Sequence, residues 1–195
     1  MLTYICQMLE KTTLNSIEES IRKRRETDRI MWFSMWFLTA VATFGVAFFP
    51  MTYFLIDRRN KHFIRQKKLE ELLIKDFKTL QVEAEEPPIK RKTWIWTASI
   101  ALIIPVFAIT YLLSKDLLLH EKRQKKLFEE ILGMKISEEP SINIKKCIIL
   151  TIVTFGLGIV YWMYKIFNAY NNHFKKQWKL EDEIIRHITN GAAGK

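Results

Sequence analysis

Three long apolar stretches interrupt an otherwise highly charged chain. Residues 30–56 carry no charge over 27 positions (IMWFSMWFLTAVATFGVAFFPMTYFLI), residues 93–113 repeat the pattern (TWIWTASIALIIPVFAITYLL), and residues 147–164 do so again (CIILTIVTFGLGIVYWMY) before Lys165 intervenes. About 20 apolar helical residues match a hydrocarbon core of ~30 Å, so stretches of this length predict membrane-embedded helix. Trp32, Trp36, Trp94, Trp96, Tyr161 and Trp162 lie near block ends, where amphipathic rings favour the headgroup level. The alternative, a soluble bundle, would have to bury all three helices on every face within 195 residues. After each block the pattern becomes helical and amphipathic: Leu69, Leu73, Phe77 and Leu80 in the first tail, then Tyr170, Phe174, Trp178, Ile185 and Ile188 in the third. Lys67-Lys68, Lys125-Lys126 and Lys175-Lys176 precede Glu70-Glu71, Glu129-Glu130 and Glu181-Asp182-Glu183. Basic residues nearest the lipid and acidic ones further out suit an anionic surface.

The tails repeat in register. Tyr53, His62, Gln66, Lys68 and Leu69 fall on Tyr111, His120, Gln124, Lys126 and Leu127 after a shift of 58, and on Tyr164, His173, Gln177, Lys179 and Leu180 after a shift of 111. The first and third copies also share Thr43-Phe44-Gly45 with Thr154-Phe155-Gly156, and Asn60 with Asn171. Upstream, Glu85-Glu86-Pro87-Pro88-Ile89 and Glu138-Glu139-Pro140-Ser141-Ile142 each precede a basic cluster, with a degenerate Glu18-Glu19-Ser20-Ile21 before Arg22. The prolines mark unit boundaries. The chain thus divides into repeat 1 with an N-terminal helix (1–84), repeat 2 (85–137), repeat 3 (138–190) and a small-residue tail (191–195). Ser16 with Glu19 reads as a capping box opening the N-terminal helix. The first 29 residues are too polar and basic for a cleavable signal peptide.

Averages conceal all of this. A content of 49% hydrophobic and 27% charged residues with a mean hydropathy of −0.04 describes an ordinary soluble domain. Aromatic content of 13% excludes a solvated disordered chain, and Cys6 and Cys147 are too far apart to suggest a disulfide framework. The net charge of +10 invites a nucleic-acid partner. The basic residues cluster beside the apolar blocks, however, so anionic lipid headgroups are the expected partner and nucleic acid is not. The candidate headgroup-binding residues are Arg22, Lys23, Arg24, Arg25, Arg58, Arg59, Lys90, Arg91, Lys92, Lys145 and Lys146.

Two topologies satisfy the pattern. Single spans would alternate the loops, setting 14 Lys and Arg (residues 1–29 and 114–146) against 17 (residues 57–93 and 165–195), which gives no positive-inside bias. Re-entrant hairpins would keep every loop on one side, and each block has helix breakers to allow it: Gly45 and Pro50, Pro105, Gly156 and Gly158. A folded block reaches only ~15 Å, and bare turn backbone at that depth needs protein cover, from tight packing or from a homo-oligomer. The charge count leans toward hairpins.

No nucleotide-binding, hydrolase, CxxC or HExxH motif is present. Within the blocks the polar residues are Ser and Thr (Ser34, Thr39, Thr97, Ser99), which leaves an ion or proton pathway without a carrier. Around a threefold axis His62, His120 and His173 would converge, and three imidazoles can hold zinc. Repetition of a packing or interfacial residue explains the same register without a metal. No metal, cofactor or catalytic residue is therefore assigned, and Tyr53, His62, Gln66 and their equivalents are read as a repeated interfacial motif.

Thr154 to Tyr164 (TFGLGIVYWMY) followed by Asn168 resembles the T-x-G-I-x-x-x-Y-W-x-Y signature of a prokaryotic family of small membrane proteins of unknown function, the DUF4234-like group. The stretch Asn168, Asn171, His173, Gln177 is similar to archaeal members. In repeat 1 the likeness keeps Thr43, Gly45 and Tyr53, with Met51 in place of Trp; in repeat 2 it is reduced to Tyr111 and the His/Gln tail. The resemblance implies a membrane location and an archaeal source, and lends no catalytic residue. The sequence therefore predicts an all-α integral protein of the cell membrane. It has three tandem repeats, each a membrane-embedded helical block (kinked span or re-entrant hairpin) plus a basic amphipathic helix. The expected role is a non-enzymatic, self-associating and membrane-shaping scaffold, the alternative being a small channel or accessory subunit of three kinked transmembrane helices.

Overall fold

A computed structural model describes residues 14–76, 89–102, 104–136 and 141–193, and every regular element among them is helical. Helix α1 covers residues 14–22 and α2 Arg24–Thr27. Each apolar block is a helical hairpin: α3 (Phe33–Ala42) turns into α4 (Phe48–Asp76), α5 (Thr93–Ser99) passes through a 3-10 turn (Ile100–Leu102) into α6 (Ile104–Leu132), and α7 (Ile144–Val153) turns into α8 (Gly158–Ala193). Among the described residues no helix is long and apolar enough to cross a membrane. The hairpin arrangement replaces the kinked helix because the chain reverses at the breakers. Gly45 and Gly156 adopt φ of 91° and 96°. Pro50 and Pro105 sit in the first turns of α4 and α6, where a missing N–H costs nothing.

The Thr-Phe-Gly turns explain how a reversal can survive at an apolar tip. Phe44 N–H donates to Val41 O (3.2 Å) and Gly45 N–H to Ala40 O (2.7 Å), the two bonds of a Schellman ending. Thr43 Oγ1 then accepts from Ala47 N–H (3.0 Å) while donating to Thr39 O (2.8 Å). The third hairpin repeats the scheme with Phe155, Gly156 and Thr154, whose Oγ1 accepts from Gly158 N–H at 2.7 Å. The amides of these two turns are thus satisfied within the chain, as an apolar setting requires. Gly158 lets α8 approach α7: a Cβ there would lie 2.7 Å from the Thr151 backbone.

The three long helices run parallel around a pseudo-threefold axis. Their inward positions follow one alternating four-three spacing, giving the layers Leu55/Leu113/Ile166, Arg59/Leu117/Tyr170, His62/His120/His173, Gln66/Gln124/Gln177, Leu69/Leu127/Leu180 and Leu73/Ile131/Ile184. This is the heptad seam of a parallel coiled coil. Each short helix lies against its own long helix and the preceding one. Phe33 of α3 meets Phe167 of α8 (ring centroids 5.5 Å), Trp94 of α5 meets Tyr53 of α4 (5.1 Å), and α7 touches α6. The repeated asparagines close the ring. Asn60 bonds the Arg91 backbone at the entry of the second hairpin, and Asn171 bonds both N and O of Met31 at the entry of the first.

The amphipathic tails are therefore not separate helices lying on lipid, as the sequence predicts. They continue the second arms of the hairpins, and their apolar stripes are consumed by one another. One apolar core lies on the tip side; a second, at the far end, joins Leu69, Leu73, Leu127, Phe128, Ile131 and Ile184 and is capped by Ile17 and Ile21 of α1. Ser16 does not open a capping box, since residues 14 and 15 are already helical; Glu19 pairs with Lys23 instead (2.6 Å). Phe77, Leu80, Cys6, the acid-proline boundaries at 85–88 and 138–140 and the last two residues of the tail lie outside the described residues.

Candidate functional site

A polar layer separates the two apolar cores. His62, His120 and His173 are 0%, 5% and 6% exposed, and their rings meet on the axis. His62 Nε2 lies 3.3 Å from His120 Nε2 and 3.3 Å from His173 Nε2, and the three ligand atoms all fall within 4.8 Å of one another. Position d of the heptad brings them together because each helix contributes the same register position. Two carboxylates stand behind them. Asp28, in the segment between α2 and α3, accepts from His62 Nδ1 (2.8 Å), Arg65 Nη2 (2.8 Å) and Trp178 Nε1 (2.8 Å). Glu121 Oε1 lies 3.5 Å from His173 Nδ1.

Burial opposes ionisation of Asp28, but His62, Arg65 and Thr27 outweigh it and hold its carboxyl well below the ordinary range. Burial pushes the His62 imidazole down to about 4 against the pull of Asp28. Burial, reinforced by the two neighbouring imidazoles, also drives His120 well below its ordinary value. Both rings are uncharged at neutral pH. One turn further along, Gln66 Nε2 donates to Glu181 Oε1 (2.6 Å), Gln177 Nε2 to the same oxygen (3.3 Å), and Gln124 Nε2 to Gln66 Oε1 (3.0 Å). Arg65 bridges Glu181 to Asp28, so one connected network spans both layers.

The opposite feature of the molecule is its tip. Parallel long helices place all three turns at one end, and there the side chains are apolar and bare: Phe44 and Phe155 are each 100% exposed, Leu157 78% and Ile104 77%. Both phenylalanines hold φ of 49°, the left-handed region. Glycine is the usual residue at this position of a Schellman ending, and a bulky residue there costs on the order of 1 kcal/mol or more. Sequence and backbone agree on that strain twice, at register-equivalent sites. Trp32, Met35, Leu38, Ile149, Ile152 and Val153 extend the bare apolar surface along the short helices.

The repeated motif splits in two. Tyr53, Tyr111 and Tyr164 are partly exposed on the outside at one level, nine residues or ~13 Å from the histidine layer. The histidines and glutamines are axial, not interfacial. The predicted headgroup cluster also divides. Lys90, Lys92, Lys145 and Lys146 are exposed at the bases of the second and third hairpins. Arg58 and Arg59 are 1% and 0% exposed and unavailable to lipid. Arg58 donates to Asn171 Oδ1 (2.8 Å) and lies over the rings of Phe167, Tyr170 and Phe174, and burial pushes it down to about 9. Arg59 and Arg91 both pair with Asp116 (2.8 and 2.7 Å). Arg24 pairs with Asp182 (2.7 Å), which puts the cluster at Arg22, Lys23, Arg24 and Arg25 about 27 Å along the axis from Tyr164. Asp28, Arg65 and Asp116 were not singled out from the sequence, and Glu181 was read only as part of an acidic run, since the partners they find lie far away in the chain, 116 positions apart for Arg65 and Glu181 and 150 for Asp28 and Trp178. The repeat register pointed to the convergence of the histidines, and the four-three spacing through Leu55, Arg59, His62, Gln66, Leu69 and Leu73 is the signal that could have placed them on an axis. No family model matches the chain, and neither a curated protein nor a solved structure is significantly similar to it.

Proposed function

We propose that this protein is a non-enzymatic membrane scaffold whose three helical hairpins insert tip-first into one leaflet, leaving the parallel bundle standing on the surface. The observation that carries this reading is the pair of fully exposed, backbone-strained phenylalanines at equivalent turns. A chain that tolerates such strain to present a bare apolar ring has a use for an apolar medium. Moving one large apolar side chain out of water is worth roughly 1.5–3 kcal/mol, so Phe44, Phe155, Leu157 and Ile104 together supply on the order of 10 kcal/mol. The short helices match the depth. Ten residues of α3 or α7 reach ~15 Å, half of a ~30 Å core. Trp32, Trp94 and the three tyrosines then fall at the headgroup level. Lys90, Lys92, Lys145 and Lys146 lie just outside it, each adding about 1 kcal/mol on an anionic surface. A wedge filling one leaflet expands it and favours curvature.

Flotation with liposomes tests the proposal. Wild-type protein is expected to co-float and to bind anionic vesicles more tightly than neutral ones, while a Phe44→Ser/Phe155→Ser variant keeps its helical signal and stays at the bottom. Equal flotation of the two proteins would remove the tips from the mechanism. Salt-sensitive ion flux without change of vesicle shape would favour the channel alternative, although the axis of one chain is filled by Arg59, Leu117 and Tyr170.

A further inference from the structure

We propose that His62, His120 and His173 bind one divalent transition-metal ion of the zinc class on the bundle axis through their Nε2 atoms. The spacing is the first argument. Metal–nitrogen bonds of about 2.0–2.1 Å at a tetrahedral angle put ligand nitrogens ~3.3–3.4 Å apart. The two Nε2 pairs that include His62 are each 3.3 Å apart. All three ligand atoms lie within 4.8 Å of one another, so two edges of the triangle already have the spacing of a bound ion.

Proton placement is the second argument. Asp28 faces only donors, among them Arg65 and Trp178, and is therefore a carboxylate; it takes the Nδ1 proton of His62. The Nε2 of His62 then carries a lone pair, and that single lone pair faces two other Nε2 atoms. It can accept a hydrogen from one of them at most. Glu121 Oε1 stands 3.5 Å from Nδ1 of His173, a carboxylate on the side that favours the same tautomer, and with Nδ1 protonated there a second lone pair would turn inward. Two lone pairs facing each other in a dry core lack a partner, and a cation between them supplies it. Carboxylates behind imidazoles are the arrangement that fixes ring orientation and raises ligand basicity in metal sites.

The donor set selects the ion. Three neutral nitrogens with no thiolate suit zinc and its first-row neighbours, not magnesium or calcium. Three protein ligands also leave a fourth position for water or an anion. A cleft of about 20 Å³ between α6 and α8, lined by Glu121, Gln124, His173 and Gln177, reaches the layer and is large enough for one water. Each repeat contributes one ligand, so the ion would tie the three hairpins together and its binding would be coupled to their assembly.

The test uses the full chain without a histidine tag, stripped with a chelator and titrated with Zn²⁺ against a chromophoric competitor. One zinc per chain is expected, with at least a 100-fold loss of affinity in His120→Gln and no loss in His187→Gln, whose imidazole is exposed on α8. X-ray absorption at the zinc edge of the loaded wild-type protein counts imidazole ligands without any variant, so the result stands even if His120→Gln does not fold. Three imidazoles support the site. Fewer than three, or no saturable binding by wild type, would overturn it and leave the trio as packing residues.

Discussion

Replacing Gly158 by alanine separates a hairpin from a continuous helix by the sign of its effect. In the structure the new Cβ would lie 2.7 Å from Thr151 N and Cα and 2.8 Å from Leu150 C. All three are backbone atoms of α7, so no side chain can swing aside. Restoring an ordinary carbon contact of ~3.5–4.0 Å requires α7 and α8 to part by roughly 1 Å. Overpacking of this kind costs about 1–3 kcal/mol, and for a chain of this size each kcal/mol lowers Tm by roughly 2–4 °C. The expected fall is thus about 2–12 °C in thermal unfolding followed by far-UV circular dichroism. In an uninterrupted helix the same change would raise stability by roughly 0.5–1 kcal/mol, because alanine restricts the unfolded chain and favours helix. Repeat 1 provides the control: the equivalent residue is Ala47, which is buried at 5% exposure, and Ala47→Gly should cost no more than about 1 kcal/mol. A Gly158→Ala protein melting at or above the wild-type temperature would refute the close crossing of α7 and α8.

Two further outcomes follow from the polar interior. Asn171→Ala removes both bonds to the Met31 backbone and leaves the buried Arg58 with Arg29 O as its remaining hydrogen-bond partner; a loss of about 2–4 kcal/mol in urea unfolding is expected, against less than ~0.5 kcal/mol for the exposed neighbour in Asn172→Ala. The second concerns pH. Burial raises the Glu181 carboxyl above its ordinary value of 4.5, outweighing Arg65 and Gln66. The folded state therefore holds that proton more firmly than the unfolded state does. Its contribution is most favourable in acid and declines as pH rises from 4.5 to the folded value. In Glu181→Gln the decline is absent, so the stability of wild type relative to the variant should fall across that window. A difference that is flat or rises with pH would show that Glu181 is not held in this way.

The repeat, the block limits and the all-helical class were legible in the sequence because apolar composition and register survive without knowledge of packing. Whether a block folds back was not, since hydropathy is the same for a span and a hairpin of equal length. The deciding signal was small: Thr43-Phe44-Gly45 and Thr154-Phe155-Gly156, in which threonine starts the next helix and glycine completes the reversal. The axial seam was obscured for a different reason. Arg59, His62 and Gln66 occupy consecutive core positions of α4, which breaks the apolar period that marks a heptad. Arg58 and Arg59 looked like surface charges from composition alone; Asn171, Asp116, the carbonyls of Arg29 and Ile89 and the aromatic rings of α8 account for their burial. Convergence of the three histidines was conditional on a parallel threefold arrangement, and it is the hairpins that make the arms parallel.

Sidedness in sealed vesicles tests the parallel arrangement most directly. Lys68, Lys126 and Lys179 are register-equivalent and exposed, one on each long helix. In a background lacking Cys6 and Cys147, single cysteines at these positions would be exposed to a membrane-impermeant thiol reagent. Three hairpins entering from one face predict that all three cysteines label from the same side. Labelling of the Lys126 position from the side opposite to the other two would establish spanning blocks, invert the middle repeat and separate His120 from His62 and His173.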